Sequence, residues 1–219
     1  MPKIGMEPVR RSEAINAALD CFCDYGMDKT TLDMVAQRAG FSKGIVAYYF
    51  KTKRQLTLEC LKAFMSSYKL KIESSITKDM TPVQMVEVVM NISLPPLNVE
   101  NDENINVSVL DGIDKIRLPE KKIANLFGQF LSKSANDDEI KTILNEIYAA
   151  DIEGISLLIE YAKKAHQAEN VDEKETAYAL LALIYGLSIF RIIGFMPPGK
   201  ADNRDIAFHY INLLLGIKS

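Results

Sequence analysis

Apolar residues recur at helical spacing almost from the start of the chain. Ile15, Ala18, Leu19 and Phe22 fall at i, i+3, i+4 and i+7, which predicts a first helix with Ser12 as N-cap and Gly26 as stop. After Met27-Asp28-Lys29, Thr30 or Thr31 can cap a short second helix whose apolar face is Leu32, Val35, Ala36 and Ala39, ended by Gly40. Ser42 then caps a third helix with Ile45, Val46, Tyr49 and Phe50 turned inward. Thr52 opens a fourth carrying Leu56, Leu61, Phe64, Met65 and Tyr68.

The rest of the chain continues in the same period. Pro82 suits the first turn of a fifth helix that Pro95-Pro96 must end. Residues 97–118 are polar, rich in Asn and Asp and aperiodic, and read as a loop or a short, frayed helix. Pro119 starts a helix with Ile123, Phe127, Phe130 and Leu131, and a long one follows Asn136-Asp137-Asp138 and runs through Ala165. Two more cover Asp172 to Phe195, stopped by Pro197-Pro198-Gly199, and Asp202 to Ile217. No alternation predicts a strand and no internal repeat is visible, so the expected fold is all-α with about nine helices.

Composition is that of an ordinary globular protein: 219 residues, 48% hydrophobic and 25% charged. Cys21, Cys23 and Cys60 are too few for a disulfide framework, and with only His166 and His209 beside them they suggest no metal site; they read as small buried hydrophobes. Met1 to Arg11 lacks the apolar core of a signal peptide, so a cytoplasmic location is expected. The segment from Ala179 to Met196 is long and apolar enough to raise the question of a membrane span. Ser188 and Arg191 interrupt it, and Ala182 and Gly186 form a flat surface suited to helix packing, so the expectation is an interface helix and no membrane.

Charge is uneven. Residues 1–55 hold nine basic and six acidic side chains, net +3, within a chain whose total is −3, so the rest carries −6. A cationic end is where a polyanion binds. Between Thr31 and Leu56 the pattern is that of a helix-turn-helix. Two short helices meet at Ala39-Gly40-Phe41-Ser42, where Gly40 can take positive φ and Ala36 and Ala39 permit close contact. The N-terminal end of the second presents Ser42, Lys43 and Gly44, with Tyr48 outward one turn on, and Lys53 adds charge at the next helix start.

These residues resemble the TetR family of transcriptional regulators. The resemblance rests on Gly26 after helix 1, a Thr-Thr start to helix 2, the A-x-x-A-G-F-S-x-G run of Ala36 to Gly44, and Tyr49-Phe50 followed by Lys53 and Leu56. Where the family usually has tyrosine this chain has Ala47, and Tyr48 can take over that phosphate contact. The opening up to Arg11 is similar to a subgroup of choline-responsive repressors of betaine synthesis, and the arm with Arg10 and Arg11 could follow a duplex backbone. The resemblance implies a DNA-binding domain over 1–53, with Thr31, Ser42, Lys43, Gly44, Tyr48, Tyr49 and Lys53 at the DNA, and a ligand-binding and dimerisation domain over 54–219.

The expected partners are double-stranded operator DNA, a small-molecule inducer and a second copy of the chain; no cofactor is expected. On the long helix Asp151 lies on a stripe with Ile147, Gly154, Ile155 and Leu158, where it could be counter-ion to a cationic ligand with Phe127, Tyr148 or Tyr161 supplying π faces, or simply pair with Arg191. Ala182, Gly186, Phe190, Ile211 and Leu214 are the expected dimer seam. The alternatives are a helical-bundle enzyme, for which no Glu-x-x-His pair, Cys/His spacing or nucleotide-binding glycine loop is found, and a ligand-independent DNA-binding activator.

Overall fold

A computed structural model describes residues 7–94, 104–109, 113–168, 171–199 and 201–215, with backbone alone for 104–115, 117–121 and 214. Among them are nine α-helices: α1 (Glu7–Tyr25), α2 (Leu32–Ala39), α3 (Lys43–Tyr49), α4 (Lys53–Ser75), α5 (Pro82–Ser93), α6 (Glu120–Ser134), α7 (Asp138–Lys164), α8 (Glu173–Ile192) and α9 (Asn203–Leu214). The helical expectation holds at every element. Two antiparallel strands, β1 (Asn104–Val109) and β2 (Ile113–Pro119), stand between α5 and α6.

The hairpin corrects the reading of 97–118 as loop or frayed helix; residues 97–103 and 110–112 lie outside the described residues. Its register pairs Asn104 with Pro119 and Val107 with Ile116, with an irregularity between Val107 and Val109. The β-branched residues at 105, 107 and 109 alternate, but with polar neighbours and no partner visible in sequence the period-two signal is short. What makes it a hairpin is cover: β2 packs on α1 and Ile116 is fully buried.

Helix ends follow local chemistry. Thr31 caps α2 by accepting the Met34 N–H at 3.2 Å, and Thr81 and Gln84 form a reciprocal capping box at α5 with Pro82 behind it. α1 starts earlier than expected: Ser12 is no cap but a buried residue inside the helix, its hydroxyl donating to the Pro8 carbonyl at 2.8 Å. α8 stops earlier, because Gly194 takes φ +71° and Phe195 N–H returns to the Phe190 carbonyl; the glycine, not the prolines, ends it.

Packing divides the chain into two compact units rather than at residue 53. One joins 1–71 with 101–143, the other 72–100 with 144–219. The reason is that the hairpin and α6 close over α1, so the first three helices share a core with residues far along the chain. That core holds Ile15, Leu19, Phe22, Phe50, Leu56, Leu61, Phe64 and Phe130, with the Phe64 and Phe130 rings stacked 5.8 Å apart. Cys21 and Cys60 are buried in it, and burial drives both thiols up and pushes half-buried Cys23 up to about 12; unreactive fillers are what such thiols are. The second unit packs Val86, Met90 and Leu94 of α5 and its end against Ile155 and Ile159 of α7, Leu180, Ile184 and Leu187 of α8, and Ile211 and Leu215.

Gly40 is the one residue whose conformation fixes the α2–α3 crossing. At φ +69° a side chain is strained though space is open around it. Gly40→Ala is expected to lose about 1 kcal/mol of stability, and Gly40→Asn to lose clearly less, because Asn tolerates the left-handed region. Urea denaturation of the three proteins checks the order.

Candidate nucleic-acid interface

The α2–α3 pair is built so that one side of each helix is spent on the core. Val35 and Ala36 of α2 and Val46 of α3 are buried, as is Phe50 just after α3. At the crossing, Gly40 N–H returns to the Gln37 carbonyl at 3.2 Å and Phe41 N–H to the Ala36 carbonyl at 2.8 Å, a left-handed C-cap that turns the chain sharply into Ser42. With Val46 and Phe50 inward, Ser42, Lys43, Gly44, Ala47 and Tyr48 are all exposed.

These outward groups are only lightly committed. Ser42 stands at the N-cap of α3 yet its hydroxyl makes no capping hydrogen bond. Lys43 reaches Asp33 at 2.9 Å, but with 71% of its side chain exposed the pair is worth little in water and gives way readily to a stronger anion. A Cβ on Gly44 would meet nothing nearer than Ser42 Oγ at 3.9 Å, so the fold itself does not require glycine there. Tyr48 is 68% exposed and meets the half-buried Tyr49 ring edge-on at 5.1 Å. Thr31 is exposed and its Oγ1 accepts from α2, which leaves its own O–H available as a donor.

Two expected contacts are placed differently. Lys53, at the start of α4, is half-buried and its ammonium donates to the Asp28 carbonyl at 2.8 Å; desolvation holds its pKa below the usual lysine value, with Asp28 opposing. Arg10 and Arg11 do not form an extended arm, because both lie within α1. Arg11 pairs with Glu59 of α4 and its guanidinium sits 5.9 Å over the Phe50 ring, so it braces the core. The loose arm of the sequence reading could only be residues 1–6, which lie outside the described residues.

In the second unit, Tyr148 and Asp151 share α7, and the Tyr148 ring meets Tyr185 of α8 at 4.9 Å. The Tyr148 hydroxyl oxygen is buried with no well-placed hydrogen-bond partner. Burial first and the Asp151 charge second push its phenol up to about 12. Of the other two expected ligand residues, Phe127 of α6 is buried and Tyr161 of α7 is 52% exposed. Tyr185 was missed: nothing in a run of apolar α8 residues distinguishes it before α7 is laid alongside. An apolar cleft of about 10 Å³, lined by Val86, Val89, Met90, Ile155, Leu158, Leu180 and Ile184, opens between α5, α7 and α8.

Of the expected seam, Ala182 and Phe190 are exposed and Gly186 half-buried on α8. Ile211 is corrected: at 2% exposure it belongs to the core of its own unit. The outward large apolar residues of α9 are Tyr210 and Leu213, each one position before an expected seam residue. Leu214 lies outside the residues whose side chains are described. By length and composition α8 could cross a membrane, but a third of its apolar window is buried within the unit. Arg191 pairs with Asp202 at 3.5 Å.

Comparison with known proteins agrees with this geometry. Residues 14–60 match the family model described as bacterial regulatory proteins, tetR family. The HTH-type transcriptional regulator BetI of Klebsiella pneumoniae (strain 342) is 48% identical over 56 residues, which is 26% of this chain and 29% of that protein. The chain therefore matches under a third of that relative's length. Two solved structures share the fold over nearly the whole chain. A transcriptional regulator from Saccharomonospora viridis in complex with choline has a TM-score of 0.72 at 17% identity, covering 95% of this chain and 96% of that one. AibR in complex with isovaleryl coenzyme A and operator DNA has a TM-score of 0.62 at 14% identity, covering 94% and 98%. Over residues 14–60, the helix-turn-helix is similar to that of the tetR family of bacterial regulatory proteins.

Proposed function

We propose that this chain is a ligand-responsive transcriptional repressor of the cytoplasm, which binds a palindromic operator in double-stranded DNA as a homodimer and leaves it when a small molecule enters the second unit. The observation that carries the reading is the outward end of α3. It offers an uncommitted hydroxyl at Ser42, an ammonium at Lys43 held only by an exposed pair, a bare backbone at Gly44 and a free phenol face at Tyr48. That is the composition of a helix end that reads base edges and phosphates in a major groove. Thr31 and Tyr49 would flank it as further phosphate contacts, and Lys53 would add its charge from the Asp28 carbonyl. In this reading 1–53 is the DNA-reading part and 54–219 the ligand-binding and dimerising part. The Klebsiella relative named as a transcriptional regulator, and the AibR structure with operator DNA, support it.

A single short recognition helix binds weakly, so two copies must be joined with their α3 helices one duplex turn or more apart. The surface for that is on α8 and α9, where Tyr178, Ile189, Phe190, Tyr210 and Leu213 expose large apolar groups that a monomer would leave in water. Ala182 and Gly186 allow a close, isologous approach. The inducer enters at the α5–α7–α8 cleft, which has room for about one water and must therefore open to admit it. Tyr148, Tyr185 and Asp151 supply two π faces and a carboxylate, suited to a small organic cation; the choline in the Saccharomonospora structure makes choline the first ligand to try.

Three outcomes are expected. Lys43→Ala with Tyr48→Ala should remove operator binding in fluorescence anisotropy while light scattering still reports a dimer; unchanged affinity would discard the α3 assignment. Phe190→Glu with Leu213→Glu should give a folded monomer by light scattering, and a persisting dimer would place the seam elsewhere. Choline at a hundredfold over its Kd should add about 2.7 kcal/mol, read as a rise of several degrees in melting temperature that Tyr148→Ala abolishes. The absence of any shift would rule choline out.

A further inference from the structure

The α1–α2 turn, residues 26–30, is gripped from outside the helix-turn-helix. Gln129 of α6 commits its whole amide there: Oε1 accepts the Met27 N–H at 2.8 Å, and Nε2 donates to the Phe22 carbonyl at 2.8 Å and to Asn125 Oδ1 at 2.5 Å. Both amide hydrogens and the acceptor are used, so the group has one orientation. Either side of it on the same face of α6, Lys122 reaches Asp20 at 3.3 Å and Asp24 at 3.4 Å, and Lys133 pairs with the Asp28 carboxylate. Asp24 in turn binds Arg38 of α2 at 2.8 Å.

The ion pairs are partly exposed, screened by salt and individually weak. The Gln129 bonds are neutral, directional and partly buried, and Met27 beside them is buried. The turn they hold runs straight into Thr31, the cap of α2, and α2 in turn packs directly on α3 across the Gly40 turn. A shift of this turn therefore carries α2 and α3 together.

We propose that Gln129 is a positioning residue for DNA recognition: from α6, some hundred residues away in sequence, it sets the pose in which α3 is presented to the groove. The inference rests on the DNA-binding reading above. Its physical content is that the helix-turn-helix does not complete the hydrogen bonding of its own first turn, so the pose is decided by an element outside residues 14–60. Because the role is geometric, it should appear in discrimination between duplexes, which depends on register, and leave non-specific binding, which depends on charge, unchanged.

The test uses the full chain and two duplexes, one selected from a random library by the wild-type protein and one with that sequence scrambled, with affinities measured at one fixed salt concentration. Gln129→Leu should weaken binding to the selected duplex about tenfold with the scrambled duplex unaffected. Gln129→Glu, which keeps the acceptor for Met27 N–H and loses the donor, should fall between, and Lys133→Ala should change the ratio by less than twofold. An unchanged ratio of selected to scrambled affinity in Gln129→Leu, whatever happens to its melting temperature, overturns the proposal. If Gln129→Leu does not fold, Gln129→Glu is judged by the same ratio. Lys43→Ala with Tyr48→Ala is measured alongside: if that protein keeps full affinity for the selected duplex, the DNA reading itself has failed, a result distinct from any at Gln129.

Discussion

A helix of seven residues does not persist in water by itself; nucleation is too costly for so few hydrogen bonds to repay. α3 exists because Val46, and Phe50 just beyond its end, are fully buried against α1, α2 and α4, and everything proposed for this protein depends on that anchoring. The inward pair fixes which residues are left outward, and the left-handed turn at Gly40 fixes the angle at which they leave the body. Chemistry at Ser42, Lys43, Gly44 and Tyr48 is thus a consequence of apolar burial on the opposite side of the same two turns.

The first unit is stiffened in layers around this anchor. Apolar contacts such as the Phe64–Phe130 stack supply most of the free energy, since they are dry and insensitive to salt. Around them, neutral hydrogen bonds from Gln129 and charged pairs from Lys122, Lys133, Arg54 and Arg11 tie α4, α6 and the start of α7 to the helix-turn-helix. Arg54 is held by Asp137 and by Glu139, and the depressed pKa of Asp137 comes first from the Ile140 backbone N–H it accepts. These outer ties add orientation more than stability.

The second unit has the opposite character. Its core cluster is apolar, its cleft small, and α8 and α9 carry large apolar side chains in water. The hydroxyl of Tyr148, buried beside Tyr185 with no well-placed hydrogen-bond partner, joins Ser156, Thr176 and Asn203 among the buried polar groups of this unit.

The sequence alone determined what is local. Periodicity together with caps, prolines and glycines placed the nine helices, and the Gly40 turn, the Thr31 cap and the exposed end of α3 were legible because each rests on residues within a few positions of one another. What only the tertiary structure decided is what lies between distant segments. The hairpin at 104–119 took its strand form from covering α1, and Arg11 became a brace because Glu59 and Phe50 fold beside it. Ile211 turned inward while Tyr210 and Leu213 turned out, a choice of about 100° per residue that apolar residues on several sides of a helix leave open. Gln129 is silent in sequence for the same reason: a glutamine on a helix says nothing until a backbone N–H and carbonyl a hundred residues away come within 2.8 Å of its amide.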